Sequence, residues 1–136
     1  MELQTTQIQD LITKAIKMLE FSYVPYSHFH VGAALLTKSG KIYTGCNIEN
    51  ASYGPSNCAE RTAIFKAVSE SEKEFEAIAV VGGSEGKIED FCPPCGVCRQ
   101  VMAEFCDKDF KIILSNGKKE VKTFTLSDLL PESFSL

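Results

Sequence analysis

Two short cysteine motifs, each placed where a helix should begin, constrain this chain more than any other feature. Cys95 and Cys98 form a C-x-x-C pair behind Pro93-Pro94, and well upstream Cys58 opens the run Cys58-Ala59-Glu60-Arg61. A fold that serves both motifs has to bring two helix starts together. The chain holds six cysteines in 136 residues, and its start, Met1-Glu2-Leu3-Gln4, lacks the basic-then-apolar layout of a secretory signal. In a reducing compartment, clustered thiols point to metal binding or catalysis before disulfides. A thioredoxin-type redox pair is the alternative. With Gly96-Val97 between the thiols and two prolines ahead of them, the metal reading stands in front. Cys46 and Cys106 read as small buried hydrophobes.

The length fits one domain spanning 1–136, and 44% apolar residues are enough for a real core. Eighteen acidic against 14 basic side chains give a net charge of −4. The basic residues are scattered, the densest pair being Lys118-Lys119, which argues against a nucleic-acid partner. No run approaches the roughly 18 consecutive apolar residues of a membrane span. A soluble cytoplasmic protein without a membrane partner is expected.

Ile8, Leu11, Ile12, Ala15, Ile16 and Leu19 recur at helical spacing, predicting a first helix near 6–20 with Thr6 and Gln9 as a capping box. Pro25 lies beyond its end. Phe29 to Thr37 and Lys41 to Asn47 read as strands joined at Ser39-Gly40. After a polar loop, Ser56 or Asn57 is expected to cap a helix from Cys58 to Glu70. Phe75 to Gly82 reads as a buried strand, and 95–106 as a helix entered through the prolines. Strands Phe110 to Ser115 and Glu120 to Leu126 follow, with Ser127 capping a terminal turn. Strand three, a crossover helix and strand four imply a right-handed parallel pair. The expectation is an α/β fold: a three-layer α/β/α arrangement around a mixed five-stranded sheet.

In a first helical turn Cys95 and Cys98 face the same way, which suits two thiolates on one ion at the ~2.3 Å zinc–sulfur distance. Cys58 offers a third sulfur. Helix N-termini favour thiolates. Three protein ligands leave a tetrahedral ion one open position, the mark of a catalytic site. Glu60 turns away from Cys58 at about 100° per residue, so it suits proton transfer beside the ion better than chelation. Arg61 returns to the cysteine's side, where a guanidinium offsets three thiolates on a doubly charged ion. A structural zinc would need a fourth ligand from His28, His30, Cys46 or Cys92. Both histidines suit surface or satisfied-core roles better, and Cys92 is awkwardly placed before two prolines. Taken singly, Asn47 is a strand-end turn residue, Glu49 a solvated charge, Phe29 a core residue, Tyr53 a loop residue, Phe134 a C-terminal anchor and Arg61 a surface cation.

The pairing of C-x-E with P-C-x-x-C resembles the zinc deaminase signature, and the chain as a whole resembles the small cytidine deaminases of pyrimidine salvage. The resemblance rests on Pro25-Tyr26-Ser27, Phe29 through Leu36, Gly45-Cys46-Asn47-Ile48-Glu49-Asn50-Ala51, Cys58 through Ala63, Pro94 through Val101, and Leu129-Leu130-Pro131 with Phe134. It implies hydrolysis of cytidine and 2′-deoxycytidine to the uridine product and ammonia, one zinc per subunit on Cys58, Cys95 and Cys98, and Glu60 as proton shuttle. It further implies that Asn47 and Glu49 grip the ribose, that Phe29 packs on the pyrimidine, and that the Ala59 backbone meets the base edge. It also implies a homotetramer whose sites borrow Ala51, Tyr53 and Phe134 from neighbours. Glu132-Ser133 departs from the Gly-Ala that often precedes that phenylalanine. Deaminases of nucleotides, nucleic acids or blasticidin share the metal motifs; Glu49 would repel a phosphate. A non-catalytic zinc scaffold is the reading from another class.

Overall fold

The computed structural model describes residues 2–136. The first helix, α1, runs Thr5–Lys17 and tightens into a 3-10 turn over Met18–Phe21. Its start lies earlier than the sequence suggested: the Gln4 backbone N–H donates to the Gln7 side chain at 2.8 Å. Thr6 is inside the helix, and the pattern is two residues upstream of the expected Thr6/Gln9 box. Then come β1 (Phe29–Thr37), β2 (Ile42–Cys46), α2 (Ala59–Ser69), β3 (Phe75–Ser84), α3 (Gly96–Phe105), β4 (Lys111–Ser115), β5 (Val121–Thr125) and the single turn α4 (Leu126–Leu129).

The strands form one sheet in the order β2-β1-β3-β4-β5, with β3 and β4 parallel and the other pairs antiparallel. The mixed five-stranded sheet and the parallel crossover pair are as the pattern predicted. Period-two alternation divides the core between its faces. Ala34, Leu36, Ala77, Ala79, Val81 and Ile113 pack with Leu11, Ile12, Ala15 and Leu19 of α1 and its 3-10 turn. On the other face Ala33, Leu35, Ile78, Val80, Ile112 and Leu114 pack with α2 and α3, through Ala63, Ile64, Ala67 and Met102. Those two packed faces make the three layers.

Strand direction decides where the helices start. Because β1 is antiparallel to both β2 and β3, those two run the same way. The helices that follow them, α2 and α3, therefore begin at the same end of the sheet. Close packing fixes the approach of α2: a Cβ on Gly45 of β2 would stand 2.4 Å from the Ala59 carbonyl oxygen, so only glycine lets the start of the helix lie on the strand.

Two further cap assignments, those of α2 and α4, differ from expectation. Cys58 itself is the N-cap of α2 rather than Ser56 or Asn57; the Asn57 side chain donates instead to Thr62 Oγ1 at 3.2 Å. Cys95 is the N-cap of α3, its sulfur accepting the Cys98 N–H at 3.4 Å. Thr125, not Ser127, caps α4 in a box with Asp128.

Candidate active site

Both cap positions carry a cysteine, so the convergence of α2 and α3 is a convergence of sulfurs. Cys58 Sγ lies 3.6 Å from Cys95 Sγ, which lies 3.4 Å from Cys98 Sγ. All three fall within 4.8 Å of one another, and among the described residues no fourth His, Cys, Asp or Glu joins the group. Tetrahedral zinc with ~2.3 Å bonds to sulfur sets its ligands about 3.8 Å apart. The spacing therefore fits the ion, and three soft sulfur donors suit it.

The thiols interact before any metal enters. The Cys58 thiol is lowered to about 5, first by the hydrogen bond with Cys98 and then by Arg61 and Cys95, against the opposing effect of burial. Cys98 moves the other way, its proton held toward Cys58. Arg61 Nη2 donates to Cys58 Sγ at 3.3 Å, the placement expected for a cation that offsets thiolate charge; it is not a surface cation.

Glu60 points inward. It is 3% exposed, its Oε1 has no hydrogen-bond partner among the described residues, and burial pushes its carboxyl up to about 7. A buried, unpartnered carboxyl oxygen beside three metal-type ligands is costly unless something else meets it. A water or a substrate nitrogen suits that position.

Asn47, Glu49, Phe29 and Ala59 lie at the same end of the sheet, with the commitments their neighbours impose. Asn47, just past β2, accepts the Val31 N–H on Oδ1 at 2.9 Å and donates from Nδ2 to the Phe29 carbonyl at 2.8 Å. The Glu49 carboxylate accepts the Tyr26 and Ser27 backbone N–H groups at 3.1 and 3.2 Å and also the Ser27 hydroxyl. Those contacts, Ser27 first, hold its pKa below the usual carboxylate range. Phe29 opens β1 and is partly exposed, while Ala59 is fully buried at the start of α2. Ala51, Tyr53 and Phe134 are exposed, Tyr53 at 80% and Phe134 at 71%; Phe134 lines a cavity with Ala103, Cys106 and Lys108, at the end of α3 away from its sulfurs. His30 Nδ1 pairs with the Leu19 carbonyl at 2.7 Å, a satisfied packing role. Cys46 is buried. Burial pushes the Cys92 and Cys106 thiols up to about 12.

Sequence reasoning missed three supporting residues. Ser27 holds Glu49, Thr62 Oγ1 donates to the Cys46 and Cys58 carbonyls, and Arg99 bonds two backbone oxygens. All three lie inside stretches that carry the resemblance, and Arg99 directly follows the last sulfur of the second motif.

A fold that joins two helix starts over three sulfurs and one buried carboxyl belongs to the zinc-dependent deaminase class. The family model of the cytidine and deoxycytidylate deaminase zinc-binding region matches residues 5–114. The cytidine deaminase of Halalkalibacterium halodurans is 54% identical over 127 residues, covering 93% of each chain. That of Sporosarcina psychrophila is 51% identical, over 94% of this chain and 91% of its own. The crystal structure of cytidine deaminase from Burkholderia pseudomallei superposes with a TM-score of 0.85 at 47% identity, over 93% of this chain and 98% of the other. The chain belongs to the cytidine deaminase family.

Proposed function

We propose that this chain catalyses the zinc-dependent hydrolytic deamination of cytidine and 2′-deoxycytidine to uridine and 2′-deoxyuridine, with release of ammonia, in pyrimidine salvage. The observation that carries the mechanism is the buried Glu60 carboxyl with an unpartnered oxygen beside three convergent sulfurs. Zinc, when held by Cys58, Cys95 and Cys98, supplies a Lewis acid that makes water acidic enough to be a nucleophile near neutral pH. Deamination adds water at C4 of the base and breaks the C4–N4 bond, so protons have to reach N3 and then the leaving amine. Glu60, poised near neutrality, is the group that accepts and redelivers them. Arg61 draws charge from Cys58 and keeps the site from becoming too electron-rich for that chemistry.

Substrate recognition follows from residues at the same end of the sheet. Phe29 packs on the pyrimidine and the Ala59 backbone meets the base edge. Asn47 and Glu49 hold the ribose hydroxyls. An ionised carboxylate has about four acceptor sites and an amide has two N–H donors, so each retains capacity after the contacts described above. Those contacts fix both groups in place, which lowers the ordering cost of binding. A phosphate near Glu49 would be repelled, so the substrate is the free nucleoside.

The reading extends to assembly and place. A homotetramer, each 1–136 chain one domain, brings Ala51, Tyr53 and Phe134 to neighbouring sites. The exposed Phe21, Tyr23 and Tyr53 support a buried interface, and light scattering tests it. No described helix is long and apolar enough to cross a membrane; the cytoplasmic location belongs to this reading through the salvage role.

The deciding experiment follows ultraviolet absorbance during incubation with cytidine, cytidine monophosphate, cytosine and adenosine. Cytidine conversion is expected, lost in Glu60→Gln by roughly 10²-fold or more while zinc stays bound. A Glu60→Gln enzyme at the wild-type rate removes the assigned role. No turnover by a protein holding one zinc per chain favours a scaffold instead.

A further inference from the structure

Arg99 is half-buried in the first turns of α3, and every polar contact it makes is to backbone near a functional segment. Its own N–H donates to the Cys95 carbonyl at 3.0 Å, as the helix requires. Its side chain does more. Nε donates to the Pro94 carbonyl at 2.8 Å, and Nη1 donates to the Leu129 carbonyl at 2.8 Å.

Pro94 is fully buried and immediately precedes Cys95. It has no N–H, so this stretch of backbone cannot be pinned by a donor of its own. Leu129 ends α4, and Leu130 N–H bonds back to the Leu126 carbonyl at 2.8 Å before the chain turns at Pro131 toward Phe134. One planar guanidinium thus spans the loop that presents a sulfur and the anchor from which the C-terminal aromatic departs. A guanidinium holds two acceptors at fixed separation and angle; a lysine ammonium, a point charge on a flexible stem, does not. An isolated surface role is inconsistent with two bonds of this length to carbonyls 35 residues apart in sequence (129 − 94).

We propose that Arg99 is a positioning residue that ties the Cys95 ligand loop to the C-terminal segment, so that metal retention and placement of Phe134 depend on one side chain. The inference rests on the zinc-binding and Phe134 roles proposed above. It predicts that both properties weaken together when the fork is lost.

The test uses zinc-loaded, full-length protein in five forms: wild type, Arg99→Lys, Arg99→Met, Phe134→Ala and the Arg99→Met/Phe134→Ala double variant. Zinc transfer to a colorimetric chelator is timed, and KM and kcat are measured for cytidine. Arg99→Met should release zinc about 10-fold faster or more, the scale on which groups supporting metal ligands act. Arg99→Lys should fall between it and wild type, and Phe134→Ala should match wild type. KM should rise in Arg99→Met and in Phe134→Ala, and the double variant should be no worse than the poorer single, because the two act through one path.

Wild-type zinc release in Arg99→Met overturns the proposal, and so do KM effects that multiply fully in the double variant. If Arg99→Met does not fold, Arg99→Lys decides: faster release supports the clamp, and an unchanged rate overturns it. Failure of the deaminase reading is separately visible as zinc-loaded wild type without turnover. The chelator comparison still reports on the ligand loop in that case.

Discussion

Arg61 Nη2 stands 3.3 Å from Cys58 Sγ, one helical turn away along α2. The contact puts a fixed positive charge on the sulfur that also shares a proton with Cys98, and it makes α2 carry both a ligand and the counter-charge that moderates it. Arg61 Nε is buried without a partner among the described residues, so the guanidinium is held there at some desolvation cost.

Replacing Arg61 tests that balance. Arg61→Gln is expected to lower zinc affinity or kcat/KM by about 10- to 100-fold, the usual range for groups that tune a metal's ligands. Arg61→Lys, which keeps the charge and loses the planar fork, should recover part of the loss. Metal content by atomic absorption and steady-state kinetics check it; an Arg61→Gln enzyme with wild-type zinc content and rate would contradict the role.

Gly45 sets the distance between β2 and the start of α2. In Gly45→Ala the new methyl would meet the Ala59 carbonyl at 2.4 Å and the Ala63 nitrogen at 2.7 Å, both backbone. Relief requires α2 to move, which should cost about 1–3 kcal/mol, as overpacking usually does. Because α2 carries Cys58 and Glu60, activity should fall further than the small loss of folded protein explains. Denaturant unfolding alongside kcat measures the two effects.

Removing zinc should lower the melting temperature as well as abolish turnover. An ion that binds only the folded chain stabilises it in proportion to the logarithm of its concentration over Kd, and it takes the place of the protons still held among the three sulfurs. Stoichiometric zinc should restore both properties. Complete stripping with no change in melting temperature would argue against a site formed by the native fold.

The Glu49 carboxyl gives a pH prediction with a definite sign. Its folded pKa is depressed, first by the Ser27 hydroxyl and then by the Ser27 and Tyr26 N–H groups. Such a group stabilises the fold above its unfolded pKa of about 4.3, and that contribution disappears as pH falls through the lower folded value. The melting-temperature gap between wild type and Glu49→Gln should therefore be widest near neutrality and close in acid. A gap that widens as pH falls reverses the assignment.

The local code was legible where it depends on nearest neighbours in the chain. The α1 periodicity, the two strand runs joined at Ser39-Gly40 and the C-x-x-C spacing all report short-range geometry, and the elements came out within a few residues. Caps were less legible. Gln4, Cys58 and Thr125 won over Thr6, Ser56 or Asn57, and Ser127, because the entry angle of each helix is set by what it packs on and not by which nearby side chain is the best acceptor.

The sequence by itself determined which residues the proposed chemistry falls to: three cysteines, one glutamate and one arginine at spacings that fit metal binding and proton transfer. Tertiary structure alone decided that they meet. The equal direction of β2 and β3 puts two helix starts at one end of the sheet, and Gly45 lets the first lie close. Burial, which no spacing encodes, then pushes Glu60 up to about 7. The commitments of Asn47 and Glu49 to β1 and to Ser27, and the span of Arg99 from Pro94 to Leu129, belong to the same level. They join residues far apart in the chain through backbone atoms, and backbone atoms carry no sequence signature.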